Sequence, residues 1–93
     1  MSYPKDQLEP PAAATEDARS FELLRLWYAR NEQHIALRED VWDDPAAWGV
    51  LLADLARQIA TDLANGHALD ATQTLARIRL ALDAELGPEG RDR

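Results

Sequence analysis

Two adjacent carboxylates, Asp43 and Asp44, stand just ahead of Pro45 and between Trp42 and Trp48. Paired carboxylates are raw material for general acid–base catalysis and for hard-cation binding. Side chains of neighbouring residues diverge, however, and the sequence has no Asp-x-Asp-x-Asp loop to gather oxygen ligands round a cation. Asp before Pro also suits a helix start: the carboxylate accepts an orphan backbone N–H, and Pro loses nothing at the first helical position. Asp44 is therefore read as a helix N-cap, and Asp43 as a charge favoured by the helix dipole. Trp42 and Trp48 bracket that start and are candidate interface or ligand contacts, the plainer alternative being that they anchor the core. Gly49 follows at a cost of about 1 kcal/mol relative to Ala inside a helix, which implies close approach of another backbone, from this chain or from a second subunit.

The remaining chemistry is sparse. His34 and His67 lack the His-x-x-x-His spacing that puts two imidazoles on one helical face, so His34 is kept only as a candidate contact. Ser2 and Ser20 are the only serines, and neither sits in a nucleophile elbow. There is no cysteine, which removes disulfides, thiolate zinc sites and thiol catalysis together. No glycine-rich loop could cradle a phosphate. No catalytic, cofactor-binding or metal-ligating residue is assigned, no cofactor is expected, and the sequence argues against an enzyme with its own active site.

The elements that would position these residues occupy the middle of the chain. Residues 1–19 hold Pro4, Pro10, Pro11 and an alanine run, with Leu8 as the one large aliphatic besides Met1, and are read as a disordered tail. Residues 87–93, with Gly-Pro and Gly among charges, are read as a second one. What remains, residues 20–86, is a single domain carrying all three Trp. A core of that size is marginal without metal, disulfide or partner subunit, and self-association is the remedy the sequence leaves.

Within that domain, Asp44-Pro45 opens a helix on which Trp48, Leu52, Leu55, Ile59 and Leu63 form one stripe. The spacing predicts it from Pro45 to about Asn65, stopped at Asn65-Gly66 by a left-handed glycine. A second helix follows, with Asp70 and Gln73 in the spacing of a capping box and Ala71, Leu75, Ile78, Leu82 and Leu86 as its stripe, ended by Gly87-Pro88. So short a link predicts an antiparallel helical pair.

Residues 21–38 alternate instead. A two-residue turn at Asn31-Glu32 would put Tyr28 opposite Ile35 and Leu26 opposite Leu37 on one apolar face. The other face would carry Trp27 opposite Ala36, Ala29 opposite His34 and Arg25 opposite Arg38. A β-hairpin fits this period better than a third helix, the alternative, whose apolar residues would cover most of its circumference. Glu is poorly suited to the positive φ of such a turn. The fold class is thus α+β, a β-hairpin followed by two antiparallel helices (ββαα). A two-stranded sheet is barely stable alone, so the hairpin is expected to lie on the helix pair, with dimerisation covering its second face, where Trp27 is a candidate contact, or completing an open edge.

The stretch Trp42 to Ala60, WDDPAAWGVLLADLARQIA, with LLRLWYAR and HIALR upstream and LARIR downstream, resembles a small, mainly alphaproteobacterial family, domain of unknown function 5076. The likeness covers most of Leu23 to Arg79, and Trp42 to Gly49 is its specific part. It implies a hairpin-then-helices fold and brings no activity, cofactor or catalytic residue. The family pattern leads one to expect glycines at the turn, where this chain has Asn31-Glu32.

Charge narrows the partners. The chain has 10 Lys and Arg against 17 Asp and Glu, a net charge of −7. Residues 20–39 are balanced, three Arg against three Glu, so the hairpin is no basic patch and nucleic acid is not an expected partner. The acid excess lies mostly in residues 40–66 and would suit a basic protein segment, or solubility alone. No apolar run reaches a membrane span and no export signal is read, so neither a membrane nor secretion is expected. With no cysteine, a cytoplasmic location is. The functional expectation is a noncatalytic, self-associating interaction or scaffold domain, a homo-oligomer (dimer) with room for an unidentified protein partner. The rival is a small-ligand binder or minor enzyme, with a pocket between hairpin and helices.

Overall fold

A computed structural model describes residues 6–87. Readings that fall on residues 1–5 and 88–93, the outer parts of the two tails, lie outside the described residues. The described elements are α1 (Ala12–Glu16), β1 (Leu24–Ala29), β2 (Glu32–Leu37), α2 (Ala46–His67) and α3 (Ala71–Leu86). The chain divides between Val41 and Trp42 into two units, one with the hairpin and one with the long helices. This is the α+β hairpin-then-helices order that the alternation of residues 21–38 and the two helical stripes predict.

In the first unit, the stretch read as a tail contains the short helix α1, with every residue exposed. Its end is tied locally: Asp17 N–H donates to the Ala13 carbonyl at 3.1 Å, and the Ser20 hydroxyl donates to the Ala14 carbonyl at 2.7 Å. β1 and β2 pair antiparallel, but two residues out of the expected register. Leu26 faces Ile35, Trp27 faces His34, Tyr28 faces Gln33, and Leu24 faces Leu37. The turn is Arg30-Asn31, with φ of 54° and 62°, rather than Asn31-Glu32. The reason is conformational: a two-residue turn that matches strand twist needs positive φ at both central residues, and Asn tolerates this where Glu does not. Because side chains alternate with period two, a slip of two leaves both faces as expected. It also removes the predicted Arg25–Arg38 opposition. Arg25 now faces Ala36 and pairs with Glu22 at 3.1 Å, while Arg38 Nε donates to the Glu22 carbonyl at 2.9 Å and its guanidinium lies 5.6 Å from the Phe21 ring centre.

In the second unit, α2 and α3 form the expected helical pair. Pro45 already has helical dihedrals (φ −56°, ψ −21°), and Asp44 Oδ1 accepts the Ala46 N–H at 3.0 Å. α2 does not stop at Asn65-Gly66. It continues through Gly66 to His67, and the left-handed residue is Ala68 (φ 56°, ψ 29°). A glycine in a helix costs about 1 kcal/mol and an alanine in the left-handed region about 1–2 kcal/mol. Local preference is therefore small beside the packing of α3, which sets where the chain must turn back. Asp70 Oδ1 then accepts the Thr72 N–H at 3.1 Å and starts α3. The Gly87 N–H donates to the Asp83 carbonyl at 2.9 Å where α3 ends.

Which side of α2 meets α3 follows from burial. Ala60 is 2% exposed, the one buried residue among those described. Ala53, Ala56 and Ala64 lie within about 40° of it around the helix. The large stripe lies elsewhere, with Leu52, Leu55 and Ile59 exposed to 49%, 44% and 41%. α2 thus buries Ala60 and half-buries Ala56, Leu63 and Ala64, while Leu52, Leu55 and Ile59 of the stripe stay open.

Candidate interaction site

The residues singled out in the sequence form two groups, one in each unit. At the start of α2, Trp42 and Trp48 come together edge to face, with ring centres 4.9 Å apart and planes at 78°. This is the arrangement aromatic quadrupoles prefer. The geometry exists because Asp44 and Pro45 fold the chain into the helix between them. Ala47 N–H donates to the Asp44 carbonyl and Trp48 N–H to the Pro45 carbonyl, each at 3.0 Å. Trp48 is half-buried and Trp42 is exposed. Asp43 and Asp44 are both exposed, and Asp44 spends a carboxylate oxygen on the Ala46 N–H. Among the described residues no three His, Asp or Glu gather as metal ligands would.

In the hairpin, Trp27 and His34 are cross-strand partners, Trp27 half-buried and His34 exposed. His34 Nε2–H donates to the Ala29 carbonyl at 3.1 Å, and Glu32 Oε1 lies 3.8 Å away. The imidazole is thereby committed to the turn end of its own hairpin.

Two further features stand out, the first of them expected from the alternation of the strands and the second not. The first is the face carrying Leu26, Tyr28, Ile35 and Leu37, exposed to 51%, 73%, 63% and 51%. Within the hairpin unit nothing on β1 or β2 covers it. The second is a groove of about 320 Å³ between α2 and α3, with Gly49, Leu52, Ala53 and Ala56 on one wall and Ile78, Leu82 and Leu86 among the residues of the other. Among the described residues, no atom beyond its own helix lies within 4 Å of where a Cβ on Gly49 would stand. The backbone approach that Gly49 implied does not come from the described chain. Alanines at 56, 60 and 64 were the signal for the side of α2 that the fold covers.

A family model described as Domain of unknown function (DUF5076) matches residues 7–89. The chain belongs to this family. The DUF5076 match is wider than the resemblance read from Leu23 to Arg79, and it takes in α1 and the end of α3. A solved structure from the photosynthetic bacterium Rhodopseudomonas palustrus CGA009 is 30% identical, with a TM-score of 0.72 over 100% of this chain and 94% of its own. That protein carries the provisional name pyruvate dehydrogenase. No curated protein matches the sequence.

Proposed function

We propose that this DUF5076 chain is a noncatalytic, self-associating interaction domain of the bacterial cytoplasm, with the hairpin among its contact surfaces. The observation that carries the reading is burial: Ala60 is the one buried residue among those described, while the hairpin face of Leu26, Tyr28, Ile35 and Leu37 is at least half exposed throughout. A two-stranded sheet with such a face is not independently stable in water, and apolar patches of this kind mark association surfaces. The bacterial relative and the absence of cysteine support the setting, and no described helix is long and apolar enough to cross a membrane. The provisional dehydrogenase name does not pass to this chain at 30% identity, and Asp44 already spends a carboxylate oxygen on the Ala46 N–H. The acid excess of residues 40–66 suits a basic segment on a further protein partner.

Light scattering across a wide concentration series tests the proposal. A dimer mass that gives way to a monomer only on strong dilution is the expected result, and a monomer at every concentration overturns it. One observation favours a second reading, as a ligand binder: the Trp42–Trp48 pair presents aromatic surface beside a helix N-terminus. Trp fluorescence that shifts with a member of a metabolite panel, and no longer does so after Trp42→Ala, would establish that reading.

A further inference from the structure

We infer that the outer edge of β2 is completed by β2 of a second copy of this chain, antiparallel and centred on Ile35, so that two hairpins make one four-stranded sheet. This rests on the self-association proposed above and names its edge, its register and its charge pair.

Three observations within the hairpin unit carry it. The first is which backbone groups point outward. Arg38 N–H donates to the Leu23 carbonyl at 2.9 Å, one step beyond the Leu24–Leu37 pair. Hydrogen-bonded and non-hydrogen-bonded pairs alternate along an antiparallel ladder, so Gln33, Ile35 and Leu37 turn their N–H and C=O groups away from β1. Such a row is a template for another strand. The second is that β2 carries none of the usual devices that blunt an edge. Its sequence EQHIAL has no Pro and no Lys, its pairing with β1 runs without a bulge, and every residue is exposed. The β1 edge differs: Leu24, Arg25 and Trp27 are half-buried, and Asp6, Gln7 and Leu8 line a groove with them. The third is charge, which chooses the occupant and the register. A twofold axis at Ile35 sets Glu32 of each copy opposite Arg38 of the other and brings Arg30 towards Asp40. The backbone groups of Glu32 and Arg38 point back into their own hairpins. Across the axis the two therefore form a non-hydrogen-bonded pair, in which side chains come closest. Arg38 is already held beside the strand end by its Nε on the Glu22 carbonyl at 2.9 Å, which leaves its Nη groups for a carboxylate. Other registers lose this match. An axis at His34 brings Arg30 towards Arg38, and one at Ala36 brings Glu32 towards Asp40. An axis at Gln33 or at Leu37 leaves Arg38 facing Tyr28 or Ala36.

The test is a charge swap across the axis, read by sedimentation of the full chain over a concentration series. Residues 32 and 38 lie about 20 Å apart along one strand, too far to pair within a single chain. Glu32→Arg opposes like charges twice in its own dimer, and so does Arg38→Glu. Each variant alone is expected to raise the dimer dissociation constant about tenfold or more. An equimolar mixture of the two restores acid against base on both sides, and its dissociation constant returns to within about threefold of wild type. That recovery also shows that both variants are folded. Gln33→Pro removes an outward N–H that β1 does not use, and is expected to weaken the dimer as much while circular dichroism stays that of the wild type. A mixture no tighter than its components overturns the inference, as does a dimer that none of these variants weakens, and either result leaves the proposed self-association standing. A wild-type chain that is monomeric throughout overturns both and leaves the edge to a strand from another protein.

Discussion

Ala68 holds a left-handed conformation at φ 56°, where an L side chain is strained by about 1–2 kcal/mol, while two residues earlier Gly66 sits in ordinary helix. The two residue types are in each other's natural places. Ala68→Gly relieves the strain and is expected to raise stability by about 1 kcal/mol. Gly66→Ala restores helix propensity at a site where a Cβ meets nothing within 4 Å among the described residues, and should add about the same. Urea unfolding at one fixed protein concentration measures both, and a loss of stability from either change would show that the link is held by contacts other than those described. The mismatch also explains why α2 does not end where its sequence points. Sequence reasoning gives a left-handed position to the nearest glycine, and here the turning point is set by where α3 packs, for which Gly66 carries no signal. The capping aspartates were legible because their bonds are local. Asp44 and Asp70 each reach an N–H two residues ahead.

At the scale of elements, the hairpin was readable in kind and in faces but not in register. Alternation fixes which side chains share a face, and that survives a shift of two; the register depends on which two residues accept positive φ, and Arg30-Asn31 gives only one residue suited to it. Arg30→Gly is accordingly expected to stabilise the hairpin by up to about 1 kcal/mol, read as slower amide exchange at Trp27 and Ala36. Faster exchange there would refute it. For the helices, the leucine stripe announced an apolar side, yet α3 takes the alanine side centred on Ala60. Ala60→Leu therefore forces the helices apart, at a cost of about 1–3 kcal/mol in the urea midpoint. Ile59→Leu, on the open stripe one residue away, should change it by less than about 1.5 kcal/mol. Equal effects at the two positions would show that the stripe, not the alanines, faces α3. Removing the cap with Asp44→Ala should cost about 1 kcal/mol in the same assay.

At the scale of the whole molecule, a chain with a single buried residue among those described has little core of its own. Net stability is a small difference between apolar burial and chain entropy, and 67 residues with so little buried side chain leave the entropy uncovered. The apolar side chains are nonetheless present and patterned: Leu26, Tyr28, Ile35 and Leu37 on one sheet face, Leu52, Leu55 and Ile59 on one helix stripe, Leu82 and Leu86 beside the Gly49 groove. That pattern supports the proposed self-association. If folding and association are one process, the melting temperature must depend on protein concentration. Each tenfold increase adds about 1.4 kcal/mol to the stability of the dimer. Spread over the unfolding entropy of two chains, this raises the midpoint by about 3–5 °C. Ile35→Ser, on the exposed hairpin face, should lower the melting temperature most at low concentration, where dissociation already weighs against the fold. Thermal unfolding followed by circular dichroism over three decades of concentration reads both effects, and a midpoint that does not move would mean that each chain folds alone and that its open faces serve some purpose other than self-association.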